Sequence, residues 1–280
     1  MDPIDHFEFS QSSLQDFVDC QRRFQLRYLQ HVAWPAVQAE PARENEQHIL
    51  RGQRFHRLTQ QYLIGVPEAR LTRIAEADED ENLLRWWRNF LDCIPEELTS
   101  ARHVEVTLAA PLERFRLLAK YDLVMNLPDG RVVIYDWKTT PRRLSRSSLL
   151  ARMQTRVYPY LLAQAGSAIN KGCPLEPEQI NMIYWFAEPG QAPELLSYSS
   201  QKYQEDEIYL QNLVHKIQNL GSGQFPMASS EKSCRFCVYR SLCNRGVSAS
   251  SAGEGDAPDM EMDEEGNFNF DLEQIGEISF

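Results

Sequence analysis

The chain has 280 residues with 42% hydrophobic and 10% aromatic content, enough to bury the core of one domain with an appendage rather than two full domains. No run approaches the ~18 apolar residues of a membrane span, and the N-terminus lacks a secretory signal pattern. Six scattered cysteines argue against a disulfide scaffold. We therefore expect a cytoplasmic protein that contacts no membrane. The formal net charge of −11 argues against a uniformly basic surface, but ten of the 40 acidic residues follow Arg245, leaving a body with 30 acidic and 29 basic residues.

The first predicted helix covers residues 9–30. Ser12 and Gln15 stand at capping-box spacing, and apolar residues then recur at roughly helical intervals. Cys20 lies within this stretch; by itself a cysteine there is more typical of a small buried apolar residue than of a metal ligand. A polar loop that contains proline and glutamate is expected to follow at 34–47.

Two further helices and a strand are predicted before residue 110. Residues 52–63 predict a helix that carries His56 among several arginines, and a lone histidine of this kind is usually a surface residue. The apolar residues of 82–93 predict a helix that packs into the core. Alternating apolar and polar residues at 103–108 predict a half-buried strand.

The most informative stretch, residues 117–140, predicts a β-hairpin. Two runs rich in β-branched and aromatic residues flank a Pro-Asp-Gly turn at 128–130. This turn places Asp122 opposite Asp136, with Cβ atoms ~5 Å apart, and the period of two places Lys138 on the same face. Opposed carboxylates repel, and a divalent cation between them is a sufficient reason for the pair; the alternative is two exposed, independent carboxylates.

The hairpin is followed by a predicted helix at 147–165, a strand at 179–187 and a helix at 201–220. Gln154 and Tyr158 lie at i and i+4 on one face of the first of these helices. Basic residues link the hairpin to this helix and continue along it: Arg142, Arg143, Arg146, Arg152 and Arg156. The order of elements indicates an α/β domain, a mixed β-sheet with helices on its faces.

Near the C-terminus stands a C-x2-C-x5-C array of Cys234, Cys237 and Cys243. Three cysteines so close together in a cytoplasmic chain usually bind metal. Their soft thiolates suit an iron–sulfur cluster or zinc, and either normally requires four ligands. The candidates for the fourth ligand are Cys20, Cys93 and Cys173.

Residues 247–280 combine a Ser/Gly/Ala stretch with an acidic run and cannot bury enough apolar surface to fold, which predicts a disordered tail. Apolar residues set among the acids at its end would suit docking on a partner or mimicry of nucleic acid. A tail that only increases solubility is the alternative.

The ordered motifs together resemble the PD-(D/E)XK nuclease superfamily, in particular the RecB-type nuclease domain that also occurs in AddAB-type helicase–nucleases and in CRISPR-associated exonucleases. The matching motifs are Gly52-x3-His56, Asp122, Asp136-x-Lys138 and Gln154-x3-Tyr158. Members with an iron–sulfur cluster place one cysteine in the N-terminal helix and three near the C-terminus, an arrangement matched here by Cys20, Cys234, Cys237 and Cys243. The resemblance covers about residues 9–245. Ala119 and Trp137 depart from the Gly and Tyr that the family often has there.

The resemblance implies a fold and a set of roles. The fold would be a restriction-endonuclease-like mixed sheet flanked by helices, with the cysteine segment as a C-terminal appendage; the nuclease domain would span 1–246 and the acidic tail 247–280. Mg²⁺ or Mn²⁺ would be held by Asp122, Asp136 and His56. Lys138, Gln154 and Tyr158 would complete the catalytic site, and the five arginines would contact phosphates. The four cysteines would hold a structural 4Fe-4S cluster, with zinc as the alternative.

The function implied is that of a metal-dependent deoxyribonuclease, most simply an exonuclease on single-stranded ends, in DNA repair, recombination or defence. DNA would be the substrate, and a helicase or repair protein would bind the acidic tail. Two alternatives stay open from the sequence. One is a catalytically silent DNA-binding or scaffold protein of the same fold, and the other is a zinc-stapled interaction module.

Overall fold

The structure of the protein, a computed structural model, describes residues 4–32, 42–94, 101–140, 143–221, 223, 225–234 and 237–245. The strands are β1 (Glu8–Ser10), β2 (Ala101–Leu112), β3 (Phe115–Asn126), β4 (Val132–Lys138), β5 (Ile180–Phe186) and β6 (Glu194–Ser197). The helices are α1 (Gln11–Asp19), α2 (Gln21–Phe24), α3 (Ala42–Leu63), α4 (Glu68–Glu76), α5 (Glu81–Asp92), α6 (Arg146–Leu150), α7 (Met153–Ala165) and α8 (Ser200–Leu220). Arg142 and the predicted tail at 247–280 lie outside the described residues.

The six strands form one mixed sheet. Its main path runs β1-β3-β4-β5-β6, and β2 pairs with the other side of β3. The β1–β3 and β4–β5 pairs are parallel, whereas β2–β3, β3–β4 and β5–β6 are antiparallel. This arrangement confirms the predicted mixed sheet with helices on its faces.

The predicted hairpin forms with the predicted register. β3 and β4 pair from Asn126 opposite Val132 to Leu123 opposite Tyr135, and Gly130 in the turn has a positive φ of 85° that glycine adopts readily. The paired stretch ends at Leu123 and Tyr135, one residue short of Asp122 and Asp136. The turn chemistry and the period of two were therefore sufficient to align the two strands.

Helices cover the sheet on both sides and bury two apolar clusters. Side chains of α1, α7 and α8 pack on one face, together with Tyr121 of β3 and Ile134 of β4. Side chains of α3, α4 and α5 pack on the other face, together with Leu123 and Tyr135. Because β4 is covered on both sides, all seven of its residues are buried. Within the described residues, no helix has both the length and the apolar character that a bilayer crossing requires.

The single helix predicted at 9–30 is wrong. Glu8–Ser10 forms a short strand parallel to β3, and Ser10, not Ser12, caps α1, with Ser13 completing its capping box. The helix then breaks at Cys20, whose backbone is extended (φ −161°, ψ 107°), and resumes as α2 before a π-helical turn at Gln25–Leu29. Helical periodicity survives this break, which is why the pattern alone did not reveal it.

Two other boundaries differ from the sequence prediction. The loop predicted at 34–47 is wrong for its last part, because α3 already begins at Ala42; the polar residues there include glutamate and glutamine, which favour helices as readily as loops. The helix predicted at 147–165 is divided into α6 and α7 by the extended backbone of Arg152 (ψ 145°).

Gly52, in the interior of α3, allows this helix to approach the end of β4. A methyl group built at Gly52 would lie 2.9 Å from Oγ1 of Thr139, closer than unstrained packing permits. Glycine in a helix interior is otherwise unfavourable by about 1 kcal/mol relative to alanine. Close packing against the strand that carries Lys138 therefore accounts for the glycine.

We expect Gly52→Ala to lower the free energy of unfolding by about 1 kcal/mol, because overpacking costs about 1–3 kcal/mol and offsets the gain of about 1 kcal/mol in helix propensity. In a Thr139→Ala background the same change should raise the free energy of unfolding, since the contact atom is gone. Urea unfolding of the four variants measures both effects. Stabilisation by Gly52→Ala in both backgrounds would contradict this role for the glycine.

Candidate active site

The candidate site lies at a gap along one side of β3. β2 pairs along the opposite side of β3, so β1 and β4 share the remaining side. β1 pairs with residues 116–118 of β3, and β4 pairs with residues 123–126. Their carboxyl ends approach the gap from opposite directions, because β1 is parallel and β4 antiparallel to β3. Asp122 lies in the gap, and Asp136 and Lys138 lie on the part of β4 beyond its pairing with β3.

Lys138 and Asp136 form a buried ion pair. Nζ of Lys138 lies 2.7 Å from Oδ2 of Asp136, and the two side chains are only 1% and 5% exposed. The same ammonium donates to Oε1 of Gln154 on α7, at 2.8 Å, and lies 5.3 Å from the centroid of the Tyr184 ring on β5. The lysine is therefore held in one place by a carboxylate, an amide oxygen and an aromatic face.

Asp122 faces His56 on α3. Its Oδ1 lies 3.2 Å from Nδ1 of His56, and its Oδ2 accepts a hydrogen bond from the backbone N–H of Trp137, at 2.8 Å. Burial raises the pKa of Asp122, but His56, the Trp137 N–H and Lys138 outweigh burial and hold the pKa below its ordinary value. The carboxylate is therefore ionised at neutral pH.

The predicted gathering of His56, Asp122 and Asp136 is met only in part. Asp122 contacts His56, whereas Asp136 contacts Lys138, and among the described residues no group of three His, Cys, Asp or Glu side chains is positioned to hold a metal ion. Each carboxylate thus has its own partner. The backbone N–H of Trp137, between Asp136 and Lys138 in the chain, donates to Asp122 and so connects the two pairs.

A change of face in β2 and β3 explains the separation. Tyr121 and Leu123 pack on opposite faces of the sheet although they are two residues apart. The register places Glu105 of β2 opposite Asp122, and Glu105 has a positive φ of 53°, which is uncommon for a residue with a side chain. Its carboxylate pairs with Lys120 at 2.6 Å. Period-two reasoning assumed a regular strand here and so missed this displacement of Asp122.

Gln154 and Tyr158 both lie on α7, as predicted, but they make different contacts. Gln154 is buried against Lys138. Tyr158 packs in the core against Tyr121, with ring centroids 4.9 Å apart, and its backbone oxygen accepts a hydrogen bond from the Tyr121 hydroxyl. Tyr158 therefore positions α7 on β3, while Gln154 reaches the charged pair.

Sequence reasoning missed Tyr184. It stands beside Asp136 in the parallel β4–β5 register, and its hydroxyl lies 2.7 Å from Oγ1 of Thr155 on α7. Burial and the Asp136 carboxylate raise its pKa, so the hydroxyl stays protonated. No local signal could have found it, because the residue is one of several aromatics in an apolar strand and its importance comes from which strand lies next to β4.

The sequence pattern of the PD-(D/E)XK nuclease superfamily matches residues 8–244. The chain belongs to this superfamily. Among solved structures it is similar to a candidate exonuclease from Eubacterium rectale (TM-score 0.50, 10% identity, covering 79% of this chain and 84% of that one) and to the protein SSO0001 (TM-score 0.40, 14% identity, 84% and 85%). The first likeness shows the fold alone. The curated protein sequences contain no match to the chain.

In this PD-(D/E)XK protein the predicted phosphate-binding arginines do not form one set of unpaired cations. Arg143 and Arg146 both pair with Glu194 on β6. Arg156 pairs with Asp206 on α8, at 2.5 Å. Arg152 caps the start of α7 and lies near enough to Tyr184 to lower its pKa.

The four predicted cysteine ligands line one pocket: Cys20, Cys234, Cys237 and Cys243. The other two cysteines, Cys93 and Cys173, are exposed. Burial, with smaller contributions from the nearby Cys20 and Cys234, raises the pKa of the Cys237 thiol to about 11. Cys20, whose extended backbone interrupts the N-terminal helix, is therefore the N-terminal cysteine that lies in one pocket with the C-terminal cysteine segment.

Contacts beside the pocket join the same two segments. The side-chain amide of Gln25 donates to the backbone oxygen of Gly223 at 2.8 Å. The backbone N–H of Arg22 donates to the backbone oxygen of Pro226 at 3.1 Å. The rings of Phe24 and Phe225 stack with centroids 6.0 Å apart. The two ends of the domain are therefore packed together independently of the cysteines.

We expect Lys138→Met to lower the free energy of unfolding by about 3–5 kcal/mol, because it leaves the buried carboxylate of Asp136 without its counter-ion. Asp136→Asn introduced into that variant should recover most of the loss, since it removes the uncompensated charge. Denaturant unfolding of the two single variants and the double variant gives the coupling between the residues. Losses that simply add would show that the pair is not coupled in the folded protein.

Proposed function

We propose that the protein is a metal-dependent deoxyribonuclease of the RecB type, which hydrolyses phosphodiester bonds from single-stranded DNA ends. Membership of the PD-(D/E)XK superfamily over residues 8–244 supports nuclease chemistry. The observation that carries the proposal is that two residue pairs, Asp122–His56 and Asp136–Lys138, lie at the β3 gap. The backbone N–H of Trp137 connects them by donating to Asp122. A chain that had lost catalysis would have little reason to keep a lysine and a carboxylate enclosed together.

The donor set at the gap fits Mg²⁺ or Mn²⁺. Asp122 and Asp136 provide carboxylate oxygens, which both ions prefer, and the imidazole of His56 favours Mn²⁺. When bound, such an ion lowers the pKa of a water ligand and neutralises charge on the phosphate. These three residues would hold the ion, which requires the side chain of Asp136 to turn from Lys138 towards the gap.

The remaining residues of the site hold groups in place. Gln154 and Tyr184 keep the Lys138 ammonium beside Asp136, from which it can orient a water molecule and stabilise negative charge on the phosphate. Tyr158 supports α7 against β3. Arg152 lies near Tyr184 of the site. Arg143, Arg146 and Arg156 would contact phosphates after releasing their carboxylate partners, and Arg142 is proposed with them on sequence grounds.

The preference for DNA ends is proposed from similarity. The similar structure from Eubacterium rectale is described as an exonuclease candidate, and the RecB-type resemblance favours single strands. Roles in repair, recombination or defence, a cytoplasmic location, and a helicase or repair partner for the acidic segment 247–280 are proposed on the same grounds.

The test is degradation of end-labelled single- and double-stranded DNA with Mg²⁺ or Mn²⁺. We expect Asp136→Asn and Lys138→Met to lower the rate by at least about 100-fold, the scale of losing one transition-state contact. Asp129→Asn, an exposed turn aspartate of the same hairpin, should keep the wild-type rate. Circular dichroism at the assay temperature confirms that each variant is folded.

Cleavage that persists in both folded site variants would reject the active-site assignment. A second outcome would identify the scaffold alternative: metal-independent DNA binding by the wild type with no cleavage of either substrate. Release of labelled mononucleotides from an end distinguishes an exonuclease from an endonuclease.

We further propose that the four-cysteine pocket holds a structural 4Fe-4S cluster. The donor set fits, since four thiolates are the usual ligands of such a cluster. Four thiolates also suit a tetrahedral zinc ion, which is the alternative occupant. Bound there, the group would tie the N-terminal helices to the C-terminal segment.

Anaerobic purification should give a brown protein that contains iron, and Cys234→Ser should abolish both colour and iron. Cys93→Ser and Cys173→Ser are matched controls, because these cysteines are exposed and lie outside the pocket. Visible absorption and elemental analysis measure the outcome. A colourless wild type that contains zinc and no iron would replace the cluster by the zinc-stapled alternative.

A further inference from the structure

The wall of the cysteine pocket is basic. Besides the four cysteines, the described residues that line it include Arg23, Arg240 and Arg245, and none of those described residues is acidic. This lining contrasts with the whole chain, whose net charge is −11. A pocket with such a wall suits an anionic occupant, because positive side chains stabilise negative charge most strongly where water is excluded.

Arg23 differs from the other two arginines in its burial and in how it is held. Its side chain is 8% exposed, with Nε 2.7 Å from Oδ1 of Asp16 and Nη2 2.8 Å from Oδ2 of Asp19. Arg240 and Arg245 instead donate to backbone oxygens, those of Arg245 and Ala228. Nε and Nη2 of Arg23 thus lie against two carboxylates of α1, and Nη2 donates a hydrogen bond to that of Asp19.

The two carboxylates also keep Arg23 charged. Burial alone would lower the pKa of Arg23, but Asp16 and Asp19 more than offset burial and raise it. Arg23 lines the same pocket as Cys20 and Cys237. Arg23 follows Cys20 by three residues, on the helix that begins directly after this cysteine. A fixed positive charge therefore lies beside the sulfurs of both ends of the chain.

We propose that Arg23 is a positioning residue of the four-cysteine centre, where it compensates the negative charge of the thiolates and the metal group they hold. This inference rests on the proposed iron–sulfur cluster. Its physical basis is that residues behind metal ligands orient them and tune the metal, and that the potential of an iron–sulfur cluster depends on the net charge around it. Arg23 thereby determines how firmly iron is retained and at what potential the centre is reduced.

Arg27, in the π-helical turn directly after α2, provides a matched control. Its Nη1 lies 3.1 Å from Oδ2 of Asp16, so it shares a carboxylate with Arg23. Unlike Arg23, it is not among the residues that the structure places in the pocket wall, and its guanidinium lies 5.3 Å from the Tyr28 ring. Arg27→Gln removes the same charge, partnered by the same aspartate, without changing the wall.

The experiment uses the full chain, purified anaerobically as wild type, Arg23→Gln, Arg23→Lys and Arg27→Gln. We expect Arg23→Gln to lose iron to a chelator about 10-fold faster than wild type, the lower end of the effect of residues that support metal ligands. Its midpoint potential, from a redox titration followed by electron paramagnetic resonance, should be more negative, because removing a positive charge disfavours the more negative reduced state. Arg27→Gln should match wild type in both.

Arg23→Lys separates charge from structure. It keeps the positive charge but not the two-sided carboxylate contact, so it should restore the potential more completely than the retention of iron. It also keeps the inference testable if Arg23→Gln fails to fold. A potential of Arg23→Lys shifted as far as expected for Arg23→Gln, or equal iron loss from Arg23→Gln and Arg27→Gln, would overturn the role of Arg23 while the cluster itself stands. Wild-type protein without iron would instead remove the cluster proposal, and this inference with it, and leave the nuclease assay unaffected.

Discussion

A lysine and an aspartate enclosed together at the end of a central strand set the conditions that the surrounding structure must meet. β4 is buried on both faces, so Asp136 and Lys138 are nearly enclosed and each stabilises the charge of the other. Gln154 from α7 and the ring of Tyr184 from β5 complete the enclosure. Two separate elements thus hold one ammonium group in place.

The gap in the sheet gives this enclosed pair access to a second carboxylate. β1 and β4 share one side of β3 without meeting, and Asp122 occupies the interval between them. The left-handed backbone of Glu105, directly opposite, accompanies the change of face in both strands. Such a conformation typically costs about 1–3 kcal/mol and is often found at functional sites. Here it coincides with the position from which Asp122 reaches both His56 and the Trp137 N–H.

The second organising feature joins the ends of the domain. Bringing Cys20 beside Cys234 closes a loop of roughly 210 residues, which costs about 5 kcal/mol on the usual logarithmic scaling. Stacking of Phe24 on Phe225 and the hydrogen bonds of Gln25 offset part of this cost. Three arginines line the same pocket as the four cysteines.

The sequence by itself determined the features that depend on near neighbours. The turn at 128–130 and the alternation around it set the register of β3 and β4, and the spacing of Gln154 and Tyr158 put both on α7. The cysteine array and the ordered motifs were sufficient to indicate the superfamily. These features could be predicted because turn chemistry and side-chain periodicity act within a few residues.

Tertiary structure alone decided which partners these residues have. It divided the charges into Asp122–His56 and Asp136–Lys138, placed Tyr184 beside the lysine, and paired Arg156 with a carboxylate of a distant helix. It also places Cys20, which the family resemblance already implied, in one pocket with the C-terminal cysteines. The physical reason is that contacts between residues far apart in the chain depend on how whole strands and helices pack. A local sequence pattern does not specify which element will lie next to a given strand or helix.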